Sequence, residues 1–130
     1  MFILVTGASG QLGRSIKNLV EKRKVGHSFI FVSRDQLDLS RLKDIRNYFK
    51  DHEFDLIINC AAFTKVDKAE LDEKQANLIN HLAVKQIAEI AQSNNIKLIH
   101  ISTDFVFDGL KHQLYFEEDI PSPLNVYGKT

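Results

Sequence analysis

The residues with most chemical promise open the chain. Thr6-Gly7-Ala8-Ser9-Gly10-Gln11-Leu12-Gly13 sets three glycines at three-residue spacing, directly after the apolar run Phe2-Ile3-Leu4-Val5. A strand that turns on glycine into a helix offers the free N–H groups of the helix N-terminus to an anion, above all to the pyrophosphate of a dinucleotide. On that reading Gly7 permits the tight turn, Gly10 lets a phosphate approach the backbone, and Gly13 permits close helix–strand packing. The spacing is G-x-x-G-x-x-G rather than G-x-G-x-x-G, and a glycine-rich turn without a ligand is the competing reading.

A second set lies far along the sequence. Ser102-Thr103-Asp104 ends an apolar run, and Tyr127 follows Thr103 by 24 residues. A hydroxyl and a tyrosine together can polarise a carbonyl and protonate it as hydride arrives. A tyrosine with a reference pKa of about 10 needs a nearby cation for that work.

Between these sets stand residues that could shape a ligand site. Ser33-Arg34-Asp35 falls where a second strand should end. An acid there takes the ribose 2′-OH of NAD, and an arginine takes the 2′-phosphate of NADP. Arg34 could fork onto a phosphate, or be a solvated loop residue. Asp38-Leu39 could meet an adenine, but on spacing alone Asp38 is a turn former ahead of Ser40. Cys60-Ala61-Ala62-Phe63-Thr64 follows a fourth expected strand, where two alanines leave room for a flat ligand. Cys60 itself reads as a small buried hydrophobe. His27, His52, His81, His100 and His112 show no ligand spacing, so no metal site is expected.

The elements needed to hold these residues alternate. Strands are expected at Phe2–Thr6, Phe29–Val32, Gln36–Leu39, Phe54–Cys60 and Lys97–Ser102. Helices are expected at Gln11–Arg23 with Leu12, Ile16, Leu19 and Val20 inward, after a Ser40 cap with Leu42, Ile45 and Phe49 inward, and over Asp72–Ser93 with Ala76, Ile79, Ala83, Ile87 and Ile90 inward. Asn94-Asn95 marks the end of the last. Asp104 to Ser122 reads as loop, and Pro123 opens a further helix. The fold class is therefore α/β, a Rossmann-type parallel sheet with helices on both faces, strand order 3-2-1-4-5, truncated after about the fifth strand.

Composition sets outer bounds. The chain has 130 residues, 44% hydrophobic and 26% charged, with 17 basic against 17 acidic residues. That suits one domain with a real core. Zero net charge argues against nucleic acid or an anionic membrane as the main partner. A lone cysteine and no targeting signal fit the cytoplasm.

Four blocks together resemble a known family: Gly7-Ala8-Ser9-Gly10-Gln11-Leu12-Gly13, Ile58-Asn59-Cys60-Ala61-Ala62-Phe63-Thr64-Lys65-Val66-Asp67-Lys68-Ala69-Glu70, Ser102-Thr103-Asp104-Phe105-Val106-Phe107-Asp108-Gly109, and Pro123-Leu124-Asn125-Val126-Tyr127-Gly128-Lys129-Thr130. In this order they look like the dTDP-4-dehydrorhamnose reductases, extended short-chain dehydrogenase/reductases. The resemblance implies hydride transfer from NADPH or NADH to the 4-keto group of dTDP-4-dehydro-L-rhamnose. It implies Tyr127 as proton donor and Thr103 as the carbonyl-holding hydroxyl, with Val66, Thr103 and Asp104 against a dTDP-sugar substrate. Gly10, Gln11, Leu12, Asp38, Leu39, Ala62, Phe63 and Thr64 would line the cofactor, which raises Asp38 from turn former to cofactor contact. A homodimer is the assembly this resemblance allows.

One part of the family pattern is missing. Tyr-x-x-x-Lys would put its lysine one position past Thr130, and Lys129 lies on another helix face. Residues 1–130 are thus expected to be the cofactor-binding domain, inactive alone, without the C-terminal sugar-nucleotide domain. A non-catalytic nucleotide-binding subunit and an inactive fragment are the alternatives.

Overall fold

The computed structural model describes all of residues 1–130. Its centre is β1 (Phe2–Thr6), where Leu4 and Val5 are fully buried. A short apolar, β-branched run suits a strand covered on both faces. β2 (Ser28–Val32) lies parallel on one side, from Phe2 opposite Ser28 to Thr6 opposite Val32. β3 (Leu56–Asn59) lies parallel on the other, from Ile3 opposite Leu56 to Thr6 opposite Asn59. β4 (Lys97–His100) extends the sheet beyond β3, giving the order β2-β1-β3-β4.

The chain leaves β1 toward β2 and returns past it to β3. Right-handed crossovers then put the first connecting helix and the second on opposite faces. The first is α1 (Gln11–Arg23), ended by Lys24 in the left-handed region at φ 44°. Gly13, Ile16 and Val20 face inward, whereas Leu12 and Leu19 are exposed, against the expectation from periodicity. The second is α2 (Leu42–Lys50), which buries Ile45 completely.

The expected strand at Gln36–Leu39 is a turn. The Ser33 carbonyl accepts from the amides of both Gln36 and Leu37, at 3.1 and 3.0 Å. Leu37 and Leu39 are nonetheless buried, so their alternation reflects packing beneath a loop rather than strand pairing. The sheet therefore has four strands, not five. Ser40 is also not a cap: α2 starts after Arg41, and the Ser40 hydroxyl donates to Asp38 Oδ1 at 2.7 Å.

After β3 the chain forms α3 (Val66–Leu71), which the sequence reading left out. Asp72 ends it and caps the next helix by accepting from the Gln75 amide at 3.1 Å. That helix comprises α4 (Glu73–Asn77), a π-helical segment (Leu78–Leu82) and α5 (Ala83–Ser93), ending at Asn94 as expected. Ala76, Ala83 and Ile87 are fully buried, and Ala91 nearly so. Small residues let α5 lie close to the sheet, where Ala83 and Ile87 share a core with Leu4, Val32, Ile45 and Ile57. A 3-10 turn (Asp104–Val106) and α6 (Val126–Lys129) complete the elements. Pro123 precedes α6 by more than its cap, because Asn125 holds that position. No helix is long and apolar enough to cross a membrane.

Candidate functional site

At the carboxyl ends of β1 and β3 the chain connections diverge, which opens a crevice in folds of this kind. Here the crevice is a cleft of about 920 Å³. The glycine loop forms its floor. Gly7 has φ +67°, and a Cβ there would sit 2.7 Å from the backbone of Cys60 and Ala61. Glycine thus lets the first loop lie against the segment leaving β3. A Cβ on buried Gly13 would collide with the Gly7 carbonyl and lie 2.8 Å from Ala8 Cα. Gly10 differs: its φ is −74°, and an added Cβ would meet only the Gly7 oxygen, at 3.1 Å.

The loop is closed by the Gly10 amide donating to the Gly7 carbonyl at 2.9 Å. The amides of Gln11, Leu12 and Gly13 form the first turn of α1 and have no backbone acceptor. These are the donors an anion would take.

The sides of the cleft come from three loops. After β2 stand Arg34, Leu37, Asp38 and Leu39. Arg34 Nε approaches Asp38 Oδ2 at 3.3 Å, while Asp38 Oδ1 accepts from the Ser40 amide at 2.9 Å. Burial opposes ionisation of Asp38, but hydrogen bonds from Ser40 and Arg34 outweigh it and hold the carboxyl below its usual range. After β3 stand Cys60, Ala61, Ala62, Phe63, Thr64 and Lys65. Burial pushes the Cys60 thiol up, which disfavours the thiolate.

That second wall is set from below by polar side chains that the sequence reading missed. Buried Thr6 donates from Oγ1 to Asn59 Oδ1 at 2.5 Å. Asn59 Nδ2 donates to His100 Nδ1 at 3.0 Å, and Asn59 Oδ1 also accepts from the Ala61 amide at 3.3 Å. One asparagine therefore ties β1, β3, β4 and the departing loop together. Higher up, Asn80 in the π-helical segment accepts from the Phe63 amide at 2.8 Å and donates to its carbonyl at 3.1 Å. Loop backbone seldom finds both partners in one side chain, and the two bonds fix Phe63.

Tyr127 borders the same cleft, as do Ile101 and Ser102. Its ring meets Phe105 edge-on, centroids 5.5 Å apart. Of the residues expected from the sequence, Gly7, Gly10, Gln11, Leu12, Arg34, Asp38, Leu39, Ala62, Phe63, Thr64 and Tyr127 all border the cleft. Gly13, Val66, Thr103 and Asp104 do not. Thr103 instead accepts from the Phe105 amide at 3.2 Å and donates to Asp104 Oδ1 at 3.3 Å, closing a turn on itself. Lys65 and Lys68 also border the cleft and were not anticipated. Their signal was available, since they stand three apart just after the Ala62-Phe63-Thr64 wall.

A glycine-floored crevice at the switch point of a parallel sheet places the molecule in the Rossmann class of α/β proteins. Within that class, the whole chain, residues 1–130, matches the family described as the RmlD substrate binding domain, and the chain belongs to that family. It is 37% identical to a dTDP-4-keto-6-deoxy-D-glucose reductase of Streptomyces niveus over 127 residues, covering 98% of this chain and 43% of the relative. A dTDP-4-dehydrorhamnose reductase of Aggregatibacter actinomycetemcomitans is 40% identical over 129 residues, again 98% of this chain and 43% of the relative. Among solved structures, a dTDP-4-dehydrorhamnose reductase of Bacillus anthracis, in complex with NADP, superposes with a TM-score of 0.90 at 32% identity, covering 98% of this chain and 45% of that one. The Clostridium acetobutylicum dTDP-4-dehydrorhamnose reductase gives 0.92 at 36% identity, over 99% and 45%. The chain thus spans less than half the length of these relatives.

Proposed function

We propose that this chain is the cofactor-binding part of an NAD(P)H-dependent reductase that converts the 4-keto group of dTDP-4-dehydro-L-rhamnose to the alcohol of dTDP-L-rhamnose. The observation that carries the reading is the meeting of Tyr127 with the glycine loop and the Ala62-Phe63-Thr64 wall in one cleft, although they come from opposite ends of the sequence. The residues fit a dinucleotide on physical grounds. Gly10 presents no side chain at the head of α1, and the Gln11, Leu12 and Gly13 amides lack backbone acceptors. A pyrophosphate meets both conditions. Arg34 and Asp38 would take the adenosine end, while Ala62, Phe63 and Thr64 would bear the nicotinamide half.

Bound NADPH or NADH supplies the hydride. The chain's own part is to hold the carbonyl and supply the proton. The Tyr127 O–H breaks and its proton passes to the carbonyl oxygen as C4 gains hydride, so that oxygen stays on C4 as a neutral hydroxyl and the tyrosinate left behind takes a proton back from water. Thr103 lies just outside the cleft lining, beside Ser102, and would support that oxygen by turning its hydroxyl hydrogen from Asp104 to the substrate. Asp104 and Val66 would meet the sugar, and Lys65 and Lys68 give the cleft positive charge toward a diphosphate.

The test is NADPH consumption with dTDP-4-dehydro-L-rhamnose by the full-length gene product. Turnover is expected, with a loss on the order of 10² to 10⁴ in kcat on Tyr127→Phe and nearly unchanged NADPH affinity. Cofactor binding without turnover would overturn the reductase reading in favour of a non-catalytic nucleotide-binding role. Full activity of Tyr127→Phe would remove the tyrosine from the mechanism.

A further inference from the structure

We infer that Glu70, on the exposed side of α3, is a positioning residue for Tyr127, an inference that rests on the reductase reading above. Its Oε1 accepts from the Val126 amide at 2.8 Å across 56 residues of sequence. Val126 is the first residue of α6, so its amide has no acceptor within that helix. The neighbouring cap does not take it either: Asn125 Oδ1 accepts from the Gly128 amide, at 2.7 Å. Glu70 in turn makes no ion pair, and the Val126 amide is its only polar partner.

The bond matters because α6 is four residues long. A single turn cannot stand by its own hydrogen bonds in water, so its orientation is set by what holds it. Four contacts do so, the edge-on meeting of Tyr127 with Phe105 being one. Gly128 presses against the Phe105 carbonyl, where a Cβ would collide. Thr130 Oγ1 accepts weakly from Asn80 at 3.4 Å. Glu70 is the one charged anchor, and hydrogen bonds to charged groups are the strong ones. α3 begins directly after the Phe63-Thr64-Lys65 wall. Glu70 therefore fixes the tyrosine-bearing turn to the same segment that forms the nicotinamide side of the cleft.

The experiment compares Glu70→Ala with Glu70→Gln, which keeps an oxygen acceptor. Amide hydrogen exchange needs no activity and so stands apart from the reductase reading. In Glu70→Ala the Lys129 and Thr130 amides, bonded to the Asn125 and Val126 carbonyls, should exchange on the order of ten-fold faster, with β1 and β3 unchanged. Glu70→Gln should recover most of that protection. In the full-length enzyme Glu70→Ala should lower kcat about ten-fold and leave KM for NADPH within roughly two-fold, with Glu70→Gln again intermediate. Unchanged exchange at Lys129 and Thr130, faster exchange throughout the sheet, or a loss in KM alone would each overturn the proposal. So would a glutamine variant no better than alanine.

Discussion

The three glycines of the first loop do different work, and substituting each one separates that work. Gly7→Ala forces a side chain into the left-handed region, at about 1–2 kcal/mol. It also drives a Cβ to 2.7 Å from the Cys60 and Ala61 backbone, and overpacking against atoms that cannot turn away costs roughly 1–3 kcal/mol more. The sum, about 2–5 kcal/mol, is a large share of the ~5–15 kcal/mol that holds a domain together. Gly13→Ala meets a similar collision without the left-handed strain, so it should cost about 1–3 kcal/mol. Gly10→Val has ordinary φ and one tight contact, to an oxygen at 3.1 Å. Its folding cost should stay near ~1 kcal/mol, the usual scale of a poorer N-cap residue. Binding reverses the order. A branched side chain at position 10 fills the approach to the α1 amides, and losing even two charge-assisted hydrogen bonds of about 1.5 kcal/mol each weakens NADPH at least ~100-fold. Urea unfolding and calorimetric NADPH titration on the three variants measure both quantities. If Gly10→Val bound normally, or unfolded as readily as Gly7→Ala, the phosphate would lie elsewhere and the reasoning would fail.

Arg34→Ala should lower NADPH affinity by several-fold and leave NADH nearly unchanged, since the guanidinium stands ready for a 2′-phosphate but is shared with Asp38. Parallel titrations check this, and an NADH preference unaltered by the substitution would refute it. The acid dependence of stability also has a definite sign. Partial desolvation of the His100 ring lowers it from its ordinary 6.5, so below about pH 6.5 the unfolded chain takes up a proton more readily than the folded chain. Stability should fall as pH drops through that range and level off beneath the folded-state value. Asp38 and Asp119 are lowered as well, so a second loss follows below about pH 4, where unfolded carboxylates protonate first. Urea midpoints from pH 7.5 to 3 would show both steps, and His100→Gln should remove only the first. A midpoint that rose on acidification to pH 5.5 would contradict the assignment.

Much of the framework was legible because strong patterns met no competitor. Phe2–Thr6 and Gln11–Arg23 have the bounds the sequence suggested, since a continuous apolar run and a glycine turn leave little choice. Leu37 and Leu39 misled because alternation records burial and not pairing. The helix of Val66–Leu71 was hidden because its only fully buried residue is Ala69, too weak a signal for periodicity. In the site, backbone-presenting residues such as Gly7, Gly10 and Ala62 could be read from the chain, as their chemistry lies in what they lack. Asn59, Asn80 and Glu70 could not. Each acts through a partner 17 to 56 residues away, and only the fold brings such partners together.

The π-helical segment has a further consequence for how this chain tolerates change. A π turn is an α-helix carrying one surplus residue. Deleting one residue between Leu78 and Leu82 would let the helix close into regular geometry from Glu73 to Ser93. The lost residue and the lost wide turn offset each other, so the stretches before and after the deletion would keep nearly the same relative orientation. Ala76 and Ile87 would still share the inward face, whereas Asn80, inside the segment, would lose the wide turn that aims it at Phe63. The surplus residue thus serves the wall of the cleft rather than the core: a single-codon deletion here should spare the fold and release Phe63.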